Sequence, residues 1–385
     1  MKSFSPPAAL LGLGLLFAGT AISSAGVTGV TATEIVLGQS AVFSGPAQAL
    51  GLGMRTGMET AFREINAAGG INGRNVRLIA RDDGYEPARA VENAHALITQ
   101  DQVFALIGGV GTPTSAQVVP ICDADQVPFF GPFTGAGALR TPYNPRIVNL
   151  RASYDQEIER LVTLLVDGRE LKKIACFYQD DLYGLAGLRA LQTALKKRRL
   201  EPFALGSYVR NTSNVTLAAA TIVQAKPDAV VMVGTYGACA DFIRQTRKLG
   251  MLDVIFCNIS FVGTRALVAA LGPEAEGVII SQVVPHPTAS QLPVAEKYRL
   301  ALKKSTPDAE PDWPSFEGYL VGQLFAQMAR QAGASLTRDD FLAVARSETP
   351  IDLGGVVAKF GPDKNQGLDR VYLTQVKNGN IISLE

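Results

Sequence analysis

Histidine is nearly missing from this chain of 385 residues: His95 and His286 stand alone, with no Cys or Asp at ligand spacing beside either. A zinc site therefore has little to be built from, and a Ser-His-Asp triad has equally little. The four cysteines, Cys122, Cys176, Cys239 and Cys257, form no Cys-x-x-Cys pair. Each lies in or beside an apolar segment, where a buried thiol is the ordinary state, although sequence leaves a disulfide open. Charge of one sign is also missing. With 36 basic against 35 acidic residues there is no excess to hold a nucleic acid backbone or an anionic membrane surface. Beyond the N-terminal stretch no segment offers about 18 consecutive apolar residues, so the mature chain is expected to be soluble.

The common catalytic and nucleotide signatures fail as well. Gly51-Leu52-Gly53 lacks a third glycine at dinucleotide spacing, and neither Gly-x4-Gly-Lys-Ser/Thr nor Gly-x-Ser-x-Gly occurs. Asp363-Lys364-Asn365-Gln366-Gly367 begins like a calcium loop but lacks the third oxygen ligand and the closing Glu. It reads as a hairpin loop, and Lys196, Lys197, Arg198 and Arg199 read as a solvated helix end. No catalytic residue, metal or cofactor is expected.

What is present is a large apolar fraction, 47% of residues, enough for a sizeable core and, at this length, two domains. The N-terminus reads as an export leader over residues 1–25. Lys2 supplies positive charge, Ala8 to Ala18 is apolar, and Ser23-Ser24-Ala25 offers small residues for cleavage, giving a mature start near Gly26.

The mature chain then alternates. Short apolar strands are predicted over 35–37, 76–80, 103–107 and 127–130, with helices between them. A second series follows, with strands over 174–178, 203–209, 229–233, 254–256 and 277–281. Strands without polar alternation, separated by helices, predict parallel sheets buried on both faces. Helices are predicted near 295–304, 316–332 and 337–347, then antiparallel strands with an Asn378-Gly379 hairpin. The fold class is thus α/β, two doubly wound units in tandem.

In such sheets, ligands bind at loops on the carboxyl ends of strands. Three loops of the first unit combine glycine with hydroxyls: Ser44-Gly45-Pro46, residues 109–115 around Thr112, and residues 131–135 with Phe133, Thr134 and Gly135. Glycine admits a ligand to the backbone, and N-H and O-H donors suit a carboxylate without a formal positive partner. Ser44 and Thr112 read equally well as helix N-caps.

With those residues on view, the chain resembles the periplasmic leucine/isoleucine/valine-binding family, the type I solute-binding proteins of ABC importers. The resemblance is carried by Ser44-Gly45-Pro46 with Gly51, by Phe62-x-x-Ile65-Asn66-Ala67-Ala68-Gly69-Gly70-Ile71-Asn72-Gly73, by Asp82-Asp83, by Pro128 to Pro132, by Asp181-Leu182-Tyr183-Gly184 and by Gly361-Pro362-Asp363. It implies two lobes joined by three crossovers, near Leu150, Val283 and Pro350, with ligand between them. The lobes would comprise residues 26–150 with 284–349, and 151–283 with 350–385. It implies a periplasmic monomer that binds a branched-chain or hydrophobic amino acid, or a related small carboxylate, and an inner-membrane ABC permease as partner. A ligand-sensing receptor without a transport role is the alternative class.

The resemblance assigns Thr112 to the ligand carboxylate, Phe133, Thr134 and Gly135 to further contacts, and Leu50, Tyr183 and Tyr236 to the pocket lining. Two departures follow from it. Ser260 stands where amino-acid-binding members carry the acid that pairs the ligand's ammonium, and an unpaired buried ammonium costs several kcal/mol. Either Asp155, Asp180 or Asp181 substitutes, or the ligand is an aromatic carboxylate or amide lacking the ammonium. Tyr85 and Gly111 fall at the two positions of a disulfide found in some relatives. Tyr85, Phe133, Tyr154, Tyr183, Tyr236 and Phe261 suit a flat or apolar ligand body.

Overall fold

The fold comes from a computed structural model, which describes residues 1–5 and 27–384. The leader's apolar run and cleavage site lie outside the described residues. Among those described, no helix is long and apolar enough to cross a membrane.

The first sheet starts with β1 (Glu34–Ala41), followed by α1 (Gln48–Ala67), β2 (Asn75–Asp82), α2 (Pro87–Thr99), β3 (Ala105–Ile107), α3 (Thr112–Ala124), β4 (Phe129–Phe130) and β5 (Ile147–Val148). Its order is β2-β1-β3-β4-β5, with every neighbouring pair parallel. The sequence reading misses β5, whose two residues are too short for a periodicity to show.

It also misses α4 (Tyr154–Val162), which runs on as a π-helical turn through Thr163–Gly168. The second series follows: β6 (Ile174–Gln179), α5 (Leu182–Lys196), β7 (Leu205–Tyr208), α6 (Thr216–Ala225), β8 (Ala229–Val233), α7 (Tyr236–Lys248), β9 (Ile255–Asn258), α8 (Thr264–Leu271) and β10 (Ile279–Gln282). Then come α9 (Pro293–Ser305), α10 (Trp313–Gln331), α11 (Arg338–Arg346), the short antiparallel ribbon β11 (Ile351–Asp352) and β12 (Val357–Ala358), and the hairpin β13 (Tyr372–Lys377) and β14 (Asn380–Ser383). The second sheet runs β14-β13-β10-β9-β8-β6-β7. Its core strands are parallel, and β13 adds to β10 antiparallel, so this sheet is mixed at one edge.

Helices α9 to α11 return to the first sheet. Phe325 of α10 and Phe341 of α11 meet Phe104 and Phe130 at ring separations of 5.5 to 6.3 Å, a spacing at which aromatic edges and faces attract. Helix α10 crosses α1 through small residues. A Cβ on Gly57 would lie 1.9 Å from the Ser315 carbonyl oxygen, so only glycine permits the approach.

The chain passes between the lobes three times: after β5, after β10, and after α11. Two passages run side by side. Asn149 donates its N–H to the Asn365 carbonyl (2.7 Å), Gly367 donates to Asn149 (2.9 Å), and Leu368 donates to Leu150 (2.8 Å). The third passage, expected near Pro350, extends to this pairing. Residues 351–358 still hydrogen-bond to the first lobe, Gly354 accepting from Val294 of α9 (3.0 Å) and Asp352 from Gln327 of α10 (3.0 Å).

Candidate functional site

The carboxyl ends of both sheets face each other, and most of the expected residues meet there. Thr112, at the first turn of α3, shares a hydrogen bond of 2.7 Å with Thr134, which donates to the Tyr154 hydroxyl at 3.3 Å. The Gly135 carbonyl accepts from the Tyr154 N–H at 2.7 Å. From Tyr154 a run of rings continues through Tyr183 (5.6 Å), Phe261 (4.5 Å from Tyr183) and Phe133 (5.5 Å from Phe261), with Tyr85 6.2 Å from Phe261. Tyr85, Phe133, Tyr154, Tyr183 and Phe261 are all buried. Burial raises the Tyr85, Tyr154 and Tyr183 phenols above their usual range, so each keeps its proton to donate.

Local chemistry explains the placement. Asp83, buried and pushed up to about 6 by desolvation, accepts from the Tyr85 N–H (2.8 Å) and from Ser40 (2.9 Å), fixing the turn that carries Tyr85. Gly111, at φ 102°, has no room for a side chain because the Tyr85 ring lies where a Cβ would stand. The two positions at which some relatives carry a disulfide are thus adjacent here, bridged by packing. Asp181 caps α5, accepting from Tyr183 N–H at 2.9 Å.

Three expected residues stand at the margin or apart. Leu50 is buried against Gly263, and half-buried Tyr236 accepts from the Ala49 N–H at 3.4 Å across the lobes, so both close the rim. Ser44 is exposed and donates to Asp82 at 2.5 Å. It does not cap α1 either, since Ala47 occupies that position without a side-chain bond. Thr112 likewise follows the cap residue Gly111.

The larger correction concerns charge. A carboxylate without a positive partner was expected, yet Arg151 lies fully buried at the base of the ring cluster, its guanidinium 4.4 Å from the centre of the Phe133 ring. One nitrogen, Nη2, donates to Ser260; Nε lies 3.4 Å from a Glu317 carboxylate oxygen; Nε and Nη1 have no hydrogen-bond partner. Burial disfavours the Arg151 charge, but Glu317 and Glu157 outweigh it and hold the group protonated.

The anion near Ser260 is Glu157, on α4, and none of the three aspartates proposed for the role. Its carboxylate accepts from the Ser260 N–H (2.8 Å), the Ser260 hydroxyl (3.0 Å) and the Ser281 hydroxyl (2.6 Å). Asp155 and Asp180 are exposed, and Asp181 serves the cap and pairs with Arg210 at 3.2 Å. Arg151, Glu157 and Glu317 were thus missed from sequence. Ser153 and Gln156 form a capping box ahead of Ile158, Leu161, Val162 and Leu165, a pattern that announces α4 and an inward position for Glu157. Nothing local announces that Arg151 is buried.

Further contacts tie the lobes shut around the cluster. Arg210 pairs with Glu86 at 3.0 Å, Asn211 donates to Glu86 (2.7 Å) and to the Gly84 carbonyl (3.1 Å), and Gln179 donates to the Tyr85 hydroxyl (3.3 Å). An open groove of about 600 Å³, lined by Arg265, His286, Asp312, Trp313 and Ile381 among others, lies on the flank. Its wall holds none of the clustered hydroxyls and rings. Among the described residues no group of His, Cys, Asp or Glu is arranged to hold a metal.

Comparison with known proteins agrees with this fold. A periplasmic binding protein family model matches residues 34–380. A solved structure described as a possible leucine/isoleucine/valine-binding protein from Rhodopirellula baltica SH 1 is 35% identical, with a TM-score of 0.88 over 92% of this chain and 97% of that one. The chain is also similar to an amino acid binding protein of Pseudomonas aeruginosa, 24% identical over 78% of this chain and 80% of its relative. It is 27% identical to the Leu/Ile/Val-binding protein homolog 7 of Brucella abortus, and there the match spans 56% of each chain.

Proposed function

The chain belongs to the periplasmic binding protein family, and from that premise we propose that it is the extracytoplasmic capture component of an ABC importer for a small organic acid with an apolar or aromatic body. The family consists of solute-binding proteins, and capture without turnover is the activity proposed here. The single observation behind the ligand class is the Arg151 guanidinium, buried against the Phe133 ring of the aromatic cluster with Nη1 unpartnered. A buried unpaired donor is costly, and a ligand carboxylate satisfies it with a charge-assisted bond.

Thr112 and Thr134 supply hydroxyls at the same end, while Tyr85, Phe133, Tyr183 and Phe261 embrace the body. The lobes, taken as residues 26–150 with 284–358 and 151–283 with 368–385, close about the crossovers between them. Closure is favoured by ligand because Tyr183 and Phe261 reach it only in the closed state. The closed form docks on an inner-membrane permease, and the chain is exported to the periplasm with its leader removed near Ala25. A second reading, a hydrophobic amino acid, draws on the Glu157 carboxylate 3.0 Å from the Ser260 hydroxyl, a charge suited to an ammonium.

Thermal unfolding against benzoate, phenylacetate, 4-hydroxybenzoate, L-leucine and L-phenylalanine tests both readings. A ligand at about 100 times its dissociation constant adds roughly 2.7 kcal/mol of apparent stability. Stabilisation by the aromatic acids alone supports the first reading, and stabilisation by the amino acids alone supports the second. No shift with any of the five would sink the assignment of the cleft.

A further inference from the structure

The base of the cleft holds a closed set of charges. Arg151 faces Glu317 of α10, and Glu157 of α4 faces Ser260 and Ser281. Beside them the partly buried Arg140 gives its donors to the Gln366 side chain (2.6 Å) and to the carbonyls of Ala136 (3.0 Å) and Arg151 (2.9 Å). Two cations thus stand with two anions, and the cluster is neutral before any ligand arrives. A monoanion brings an uncompensated negative charge into a site closed to water, which costs several kcal/mol unless a proton accompanies it. A zwitterionic amino acid brings no net charge and needs no proton.

The two carboxylates are not equivalent as acceptors of that proton. Three hydrogen bonds stabilise the Glu157 anion. Glu317 instead meets Arg151 at 3.4 Å without hydrogen-bond geometry, since Nε of Arg151 has no hydrogen-bond partner. We propose that Glu317 is a built-in stand-in for the ligand's carboxylate: it faces Arg151 and takes up a proton when a monoanion occupies Arg151. Capture of a monocarboxylate therefore carries one proton into the cleft, and capture of an amino acid carries none. This rests on the reading of the cleft as an organic-acid site.

The charged groups facing Glu317 are Arg151 from the first crossover, Glu157 from α4 and Arg140 from the loop before β5. Desolvation is the largest influence and lifts Glu317 to about 7; Arg151 and Arg140 oppose the rise and Glu157 adds to it. A ligand anion on Arg151 weakens the principal opposing influence and adds a second negative charge, so both changes favour the protonated form.

Isothermal calorimetry measures the effect directly. Benzoate and L-leucine are titrated into the full chain at pH 8 in phosphate and in Tris, whose ionisation heats differ, and the difference gives the protons taken up. The expected result is close to one proton per benzoate, with affinity falling about tenfold per pH unit above pH 7, and none per leucine. Benzoate binding with no proton uptake would overturn the proposal while leaving the organic-acid reading intact. Binding of leucine alone would overturn both, as would binding of neither. The E317Q variant, checked for folding by circular dichroism, is expected to bind benzoate without the pH dependence. Retention of the slope in E317Q would assign the proton elsewhere and refute the role of Glu317; if E317Q fails to fold, the two-buffer measurement on the native chain decides alone.

Discussion

Replacing Arg151 by methionine removes the cation from between Glu157 and Glu317 while keeping an unbranched side chain against Phe133. Breaking a buried ion pair by deleting one partner costs about 3–5 kcal/mol when the other must stay charged. Glu317 escapes part of that cost by protonating, so the penalty depends on pH. In the native chain burial lifts the Glu317 carboxyl to about 7. The folded state then binds a proton that the unfolded state has released, so stability falls as pH rises from the ordinary carboxylate range to about 7 and is level above it. Without Arg151 the folded carboxyl titrates higher, and the variant goes on losing about 1.4 kcal/mol per pH unit above that point. Glu157 adds in the same direction, since Arg151 also opposes its upward shift. Urea unfolding followed by circular dichroism should therefore show a destabilisation that grows by about 2 kcal/mol between pH 6 and pH 8.5. In the double variant R151M/E317Q that growth should shrink sharply. An equal destabilisation at both pH values would refute the coupling.

Thr112→Val removes the hydroxyl shared with Thr134 but leaves Thr134 bonded to Tyr154; ligand affinity is expected to fall about tenfold with the melting temperature nearly unchanged, and unchanged affinity would exclude Thr112 from the site. Gly57→Ala, although it improves helix propensity, forces α1 from α10 and is expected to destabilise by about 1–3 kcal/mol or more in chemical denaturation. Arg210→Ala cuts the bond to Glu86 across the lobe boundary; small-angle scattering should show a larger mean radius and affinity should drop a few-fold, with little loss of fold stability. All four cysteines are buried free thiols, and burial raises each of them. Ellman's reagent should label none in the native protein and all four after unfolding.

The alternation of apolar strands and helices was legible because buried parallel strands leave a signal that owes little to their partners. Strand β8 and helix α8 fall where the pattern puts them, at Ala229–Val233 and Thr264–Leu271. Strand β5 was not, since two residues held by one neighbour carry no period. The ring and hydroxyl cluster was readable from loop composition joined to a family resemblance. The charged base was not: Arg151 and Glu317 are 166 positions apart in the numbering and meet only through the return of α10 to the first lobe. As a helix cap Ser44 failed for a complementary reason, because its helix starts later than the loop signal implies, and Asp82 claims the hydroxyl.

The side-by-side crossovers at Asn149 and residues 365–368 give the molecule a mechanical character. A single strand swivels about any of its bonds; two strands laced together resist bending and yield chiefly to torsion about their shared axis. The proposed closure would thereby be channelled into one stiff coordinate. Tyr85 and Phe261 come from opposite lobes, so in the closure proposed above a twist about the lacing would carry one ring past the other along a fixed track.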